Sequence, residues 1–231
     1  MRNKKIAILQ SNYIPWKGYF DLINMVDEFI LYDDMQYTKR DWRNRNKIKT
    51  PQGLKWLSIP VEVKGKFHQK ISETKISDPD WAEKHWSIIK QNYSKSTFFK
   101  EYQEIFENIY LNNNEEYLSR INYNLILAVC KILGITTKIR WSNEFNLIDG
   151  KTEKLLGICK DCEGKTYISG PAAKGYFDEE LAKTDDIKVE WIDYSNYTEY
   201  RQLHLPFEHG VSILDLIFNE GENAKNFMKS F

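Results

Sequence analysis

The chain has 231 residues with 33 basic and 33 acidic side chains, so its formal net charge is zero and a global polyanion-binding role is disfavoured. Hydrophobic residues at 42% and charged residues at 29% support a substantial core and exclude extensive disorder. Such a length fits a single α/β domain over residues 1–231, and an aromatic content of 14% places some rings at the surface or in a pocket.

Met1-Arg2-Asn3-Lys4-Lys5 is followed by only four apolar residues and does not read as a signal peptide. Residues 5–10, KIAILQ, read as a buried first strand. Residues 11–17 form a loop, where Pro15 bars an early helix, and residues 18–26 follow as a short helix with Phe20, Leu22, Ile23 and Met25 mostly on one side. Residues 28–33 are a second strand. This βαβ order predicts parallel pairing with a right-handed crossover, and ligands in such sheets bind beyond the carboxyl ends of the strands. Residues 10–18 and 33–45 both fall at that edge.

Residues 54–63 form another extended run that Pro60 ends or confines to an edge. Asp78-Pro79-Asp80 opens a helix whose apolar face carries Trp81, Trp86, Ile88, Ile89 and Tyr93. Residues 97–111 and 115–133 are two more helices, the second ended by Gly134, and residues 78–133 read as a helical insertion. Alternation then resumes. Residues 137–142, 166–169 and 187–192 are strands, and residues 151–162 and 172–183 are helices. Cys159 and Cys162 lack a second pair at zinc spacing, so they read as helix thiols before a helix-ending Gly164. Residues 212–230 read as two short helices broken at Glu220-Gly221. The sum is a doubly wound, parallel five-stranded sheet with a helical insertion and C-terminal helices. No stretch approaches the roughly 18 apolar residues of a membrane span. Neither membrane insertion nor a nucleic-acid partner is expected, and the expected compartment is the cytoplasm.

The chemistry concentrates in residues 36–49, QYTKRDWRNRNKIK. Residues 39–55 hold seven cations against one acid, Asp41. Arg40, Arg43 and Arg45 offer planar forks to phosphate or carboxylate, Asn44 and Gln36 add directional hydrogen bonds, and Trp42 adds a stacking face. As a loop these groups converge; as a helix Arg40, Asn44 and Lys47 share one face. A solvated, salt-bridged loop is the alternative. Asp33-Asp34 can hold a divalent metal, orient a sugar hydroxyl, act as base, or cap the turn and neutralise the arginines. The sequence singles out no further oxygen ligands for a metal.

Gln10, Tyr13, Trp16, Gly18 and Tyr19 bracket the first strand end and helix start, where free N–H groups face an anion. Neither a GxGxxG nor a P-loop pattern is present. His204 and His209 are the histidines considered for proton transfer, because histidine titrates near neutrality, and Pro206 between them breaks any HExxH-like helix. Ser169 and Gly170 close the fourth strand and fall at the same edge.

Gln10, Tyr13-Ile14-Pro15-Trp16, Gly18-Tyr19-Phe20, Asp33-Asp34-Met35-Gln36-Tyr37, Arg40-Asp41-Trp42-Arg43-Asn44-Arg45, Gly53 and Trp56 resemble the WbqC-like protein family. Tyr167-Ile168-Ser169-Gly170 and Ser212-Ile213-Leu214-Asp215-Leu216 extend the resemblance over nearly the whole chain. It implies a setting in bacterial O-antigen and other surface-sugar machinery. The order of elements is also similar to that of HIGH-type nucleotidyltransferases and ligases. Residues 14–19 would occupy the HxGH position there, although no histidine precedes His68.

The expected function is transfer of an acyl-type group to a nucleotide-activated amino sugar. Arg40, Arg43, Arg45 and Lys47 would hold diphosphate, while Tyr13, Trp16 or Trp42 would stack on base or sugar. Asp33, Asp34, His204 or His209 would handle the proton. Magnesium-dependent nucleotidyl transfer or ATP-dependent ligation, and a non-catalytic binding role in a polysaccharide assembly complex, are the alternatives.

Overall fold

A computed structural model describes residues 3–112 and 114–231. Met1 and Arg2, at the head of the segment read as no signal peptide, lie outside the described residues. The chain opens with β1 (Lys5–Leu9), α1 (Lys17–Asn24) and β2 (Glu28–Leu31), the expected βαβ unit. A hairpin of β3 (Arg45–Thr50) and β4 (Gly53–Ser58) follows, then the insertion α2 (Trp81–Tyr93), α3 (Phe99–Leu111) and α4 (Leu118–Leu133). The alternation closes with β5 (Lys138–Trp141), α5 (Lys151–Asp161), β6 (Thr166–Ser169), α6 (Glu179–Thr184) and β7 (Lys188–Trp191), and α7 (Ile213–Glu220) lies near the C-terminus.

Among the described residues five strands form one sheet in the order β5-β2-β1-β6-β7, with every pair parallel. The chain winds outward from β1 through β2 to β5, then returns to the other side for β6 and β7. The winding direction therefore reverses between β1 and β6, which opens a crevice at their carboxyl ends.

β2 and β6 are buried at every position, as expected of strands covered on both faces. Side chains alternate across the sheet. Ile6, Ile8 and Ile30 pack with Leu155, Cys159 and Tyr167 on one face. Ala7, Phe29 and Leu31 join the core that includes α1, the insertion and α7 on the other. Phe218 of α7 anchors that second core, with its ring centroid 4.9 Å from Phe99, 5.4 Å from Phe106 and 5.5 Å from Tyr93.

Three local readings change. First, residues 54–63 do not extend the sheet; β4 pairs antiparallel with β3, Lys47 opposite Trp56. The second half of the basic stretch is thus neither loop nor helix. Asn46 and Ile48 are buried in alternation with the half-buried Arg45 and Lys47, the two-residue period of a strand, and Lys49 and Thr50 beyond them are both covered. Gly53, at φ 104°, makes the tight turn that returns it.

Second, residues 172–183 are not one helix. A 3-10 turn over Pro171–Gly175 precedes α6, which starts where the Asp178 carboxylate accepts from the Glu180 and Leu181 N–H groups, each at 3.0 Å. Third, Glu163, at φ 57°, takes the left-handed position after α5. Gly164 serves close approach instead: a Cβ there would sit 2.5 Å from Ile6 of β1.

Candidate functional site

The carboxyl edge is built on buried polar ties. The Ser11 N–H, just past β1, donates to Asp33 Oδ1 at 2.8 Å, and the Ser119 hydroxyl of α4 donates to Asp33 Oδ2. Burial pushes the Asp33 carboxyl above its ordinary range, and the bonds from Ser119 and Ser11 partly offset this. Asn122 of α4 donates to Ser11 Oγ at 3.1 Å and to the Arg43 carbonyl at 2.9 Å. Arg43 in turn donates to Asn12 Oδ1 and stands 3.7 Å from Asp41. One polar chain therefore fixes both strand ends, α4 and the arginine loop relative to one another.

The loop after β1 carries backbone strain. Ile14 has φ 36°, an outlier for a β-branched residue. Asn46 of β3 over-determines it, donating to the Ile14 carbonyl at 2.8 Å and the Tyr13 carbonyl at 3.2 Å. The Ile213 N–H binds the Pro15 carbonyl and the Ser212 N–H binds the Lys47 carbonyl, each at 2.9 Å. The start of α7 is thereby stitched to both walls.

Between these walls lies a cavity of about 290 Å³, lined by Asn12, Pro15, Trp16, Trp42, Asn46 and Gly210. Trp16 lies against the glycine that opens α1: a Cβ on Gly18 would fall 2.4 Å from the Trp16 ring. Gly18 thus gives the tryptophan room. Trp16 meets Tyr194 and Tyr197 at 5.2 Å and 5.6 Å between centroids.

Outside the cavity the hairpin presents a plate. Trp42 and Trp56 have centroids 5.4 Å apart and are 43% and 42% exposed, too much for core residues of this size. The Arg45 guanidinium lies 4.2 Å from the Trp56 centroid, and Lys47 Nζ lies 5.4 Å from Trp56 and 5.9 Å from Trp42.

The other sequence-selected residues fall in several places. The Tyr19 hydroxyl donates to the Gln10 carbonyl at 3.0 Å, so this pair braces the strand end. Tyr13 is fully buried, its hydroxyl 2.6 Å from that of Tyr110 and 2.8 Å from His85 Nδ1, on the insertion side. Gln36 donates to the Phe67 carbonyl at 2.7 Å. Arg40 is exposed at φ 61°, and its carbonyl accepts from Arg45. Asn44 donates to the Ile59 carbonyl at 2.8 Å, while its buried Oδ1 has no partner among the described residues.

Asp34 accepts from Ser142 Oγ at 2.7 Å and pairs with Lys70 at 3.0 Å, on the β5 side of the sheet. Ser169 accepts from the Tyr167 hydroxyl at 3.1 Å. Gly170 faces the Tyr194 ring, which links the end of β6 to Trp16. His204 meets the Asn92 carbonyl of α2 at 2.9 Å. His209 neighbours Phe207 and Tyr197, next in sequence to the cavity residue Gly210. Among the described residues no group of three or more His, Cys, Asp or Glu side chains is arranged to hold a metal ion.

The sequence reading did not select Lys17 or Asn46. Lys17 is buried at 3% exposure, with Nζ 4.6 Å and 5.3 Å from the Tyr197 and Tyr200 centroids and 3.3 Å from the Thr198 carbonyl. Burial pulls its ammonium down to about 8, against the opposing pull of Asp21 one turn on. Burial and the Lys17 charge hold His209 below its ordinary value, with Glu199 and Glu208 opposing. No local pattern marks Lys17, because its cover comes from residues 197–200. Asn46 was legible in part, as the polar inward residue of an alternating strand.

A larger cavity, about 790 Å³, lies at the opposite edge and is lined by residues that include Lys4, Glu28, Lys160 and Asp185. Its charges answer one another: Lys4 pairs with Glu28 and Lys160 with Asp185, each at 2.7 Å.

Fold and site together define a doubly wound α/β protein with a small aromatic and basic site at its carboxyl edge. No helix among the described residues is long and apolar enough to cross a membrane. The chain belongs to the WbqC-like protein family, whose model matches residues 10–227. It is 52% identical over 226 residues, 98% of each chain, to "Uncharacterized protein Rv1507c" of Mycobacterium tuberculosis (strain ATCC 25618 / H37Rv). No solved structure matches the chain significantly.

Proposed function

We propose that this protein is a transferase of bacterial surface-polysaccharide (O-antigen, lipopolysaccharide) assembly that moves an acyl-type group onto a nucleotide-activated amino sugar. The observation that carries this reading is the cavity between Trp16 and Trp42, continuous with a plate of Trp42, Trp56, Arg45 and Lys47. The cavity volume of about 290 Å³ suits one moiety of such a ligand, since pockets for whole drug-sized ligands start near about 300 Å³. In this reading a pyranose lies between the tryptophans, within reach of Asn12 and the Asn46 side of the wall. The diphosphate lies over Arg45 and Lys47, and the base stacks on the exposed Trp56 face. Asp33 positions the loop rather than meets ligand, because both its oxygens are engaged by Ser11 and Ser119, and Arg43 is held by Asn12 and Asp41. Rate enhancement then comes from holding two reactants together in a site with preset charges.

A thermal-shift and calorimetric series with UDP-, dTDP- and GDP-sugars tests this. A ligand at about 100 times its Kd stabilises the fold by about 2.7 kcal/mol. One nucleotide class is expected to do so, with affinity that falls in Trp56→Ala. No shift with any of them overturns the reading. Stabilisation without turnover of any acyl donor would leave a binding protein of an assembly complex.

A second reading, nucleotidyl transfer or ATP-dependent ligation, is favoured by the sheet order, in which the first strand is central as in HIGH-type enzymes. Magnesium-dependent hydrolysis of a nucleoside triphosphate, lost on chelation, would select it.

A further inference from the structure

We propose that Lys17 is the proton acceptor of this cavity, its amine buried under aromatic rings with no carboxylate at ion-pair distance among the described residues. The proposal rests on the acyl-transfer reading and adds the group that makes the sugar amine a nucleophile.

The geometry supports it in four ways. Lys17 is next in sequence to Trp16, a wall of the cavity, and Tyr197 touches both side chains, with its centroid 5.6 Å from that of Trp16 and 4.6 Å from Lys17 Nζ. A buried lysine is ordinarily paired. Among the described residues, however, Lys17 forms no ion pair, and its hydrogen bond to the Thr198 carbonyl is long, at 3.3 Å. The rings of Tyr197 and Tyr200 take the place of a carboxylate. Asp21, the acid whose charge acts on the amine, is engaged elsewhere: it accepts from the Tyr197 hydroxyl at 2.6 Å and from Ser230. Finally, His209 brings into the same cluster a buried Nδ1 that has no hydrogen-bond partner among the described residues.

The charged and titratable groups around the amine are Asp21 on its own helix, Tyr197 and Tyr200 from the 193–202 segment, and His209, itself flanked by Glu199 and Glu208. This environment leaves about a tenth of the amine unprotonated at neutral pH, given a value of about 8. The proton balance is simple. The sugar nitrogen forms a bond to the carbonyl carbon of an activated acyl donor such as a thioester. The bond from that carbon to its leaving group breaks, and the leaving group departs with the electron pair. The proton shed by the nitrogen goes to the Lys17 lone pair and is passed on to the leaving group. Lys17 as nucleophile is disfavoured on chemical grounds, since acylation would make an amide too stable to hand the group on.

Trace labelling of the full chain with acetic anhydride from about pH 6 to about pH 10, read residue by residue by mass spectrometry, tests the amine without knowledge of the substrate. Lys17 is expected to be labelled with a midpoint near 8. No labelling at any pH, or a midpoint shared with the exposed lysines, overturns the proposal. UDP-glucosamine and UDP are added as separate probes. If neither slows Lys17 labelling, the nucleotide-sugar reading fails while the reactive amine stands. With UDP-glucosamine and an acetyl thioester as the reactant pair, Lys17→Arg keeps the charge but cannot accept a proton. It is expected to lower kcat by about 10²-fold or more and to remove the rise of kcat/KM through pH 8 while KM changes little. An unchanged pH profile in Lys17→Arg overturns the role.

Discussion

The two edges of the sheet use charge in opposite ways. At the amino edge the larger cavity is ringed by lysines and acids that pair with one another, as Lys4 does with Glu28 and Lys160 with Asp185. Those charges are mutually satisfied and solvated, so volume there carries no recognition. At the carboxyl edge the cavity is less than half as large, and cations outside its lining rest on rings: Arg45 and Lys47 on Trp56, and Lys17 beside Tyr197 and Tyr200. A cation over a ring keeps its field available to an anion, whereas a cation in a salt bridge does not. Chemistry and topology together, rather than size, make the carboxyl edge the candidate site.

The comparison breaks most visibly where carboxylates hold the site in place. Asp33→Ala is expected to cost about 3 kcal/mol in urea unfolding, because it leaves the Ser11 N–H and the Ser119 hydroxyl buried without acceptors. Asp33→Asn, which keeps an acceptor, is expected to stay within about 1 kcal/mol of the parent. If Asp33→Asn folds normally but abolishes turnover, Asp33 takes part in the chemistry after all.

The pH dependence has a definite sign. The folded-state carboxyls of Asp33 and Asp215 are raised by burial. The stability they contribute is full below the ordinary carboxylate range and falls as pH rises through their raised values. Asp33→Asn should flatten part of that fall, measured as unfolding free energy at about pH 4 and about pH 7.

The next effect in size is on ligand rather than fold. Trp56→Ala and Lys47→Ala should each weaken nucleotide-sugar binding by about 1–2 kcal/mol, the scale of a base–aromatic stack or a charge-assisted contact. The unfolding free energy should move by no more than about 0.5 kcal/mol for the exposed Trp56 and by no more than about 1 kcal/mol for the half-buried Lys47. Equal losses of stability and binding would make the plate structural.

Gly18→Ala sharpens the point further. The added methyl would meet the Trp16 ring at 2.4 Å, so the ring must shift into the cavity. A loss of affinity of about 1 kcal/mol is expected in calorimetry. An unchanged affinity would show that Trp16 is not a wall the ligand feels.

The smallest effect belongs to the amino edge. Lys160→Ala removes a surface ion pair and should change stability by less than about 0.5 kcal/mol and binding not at all. A loss of binding there would reverse the assignment of the two edges.

The family and much of the frame are legible in the residues themselves. IAIL, EFIL and TYIS are near-continuous apolar runs, which strands covered on both faces require whatever their neighbours. Gly134, at φ 67°, ends α4 where the sequence placed its stop. That residues 10–18 and 33–45 share an edge also follows from sequence, since parallel strands put their carboxyl ends together. The hairpin does not show in the same way, because RNKIKT reads first as charge and only second as alternation.

The tertiary structure decided which polar groups remain available. Local sequence shows that Asp33, Asp34 and three arginines cluster, but not that Ser119, Ser142 and Lys70 engage the two acids from far along the chain. Nor can it show that residues 197–200 fold over Lys17. Hydrophobic periodicity is a local property and fixes the elements. Burial and partnering of a charge depend on segments far apart in the chain, and only the closed fold brings those together.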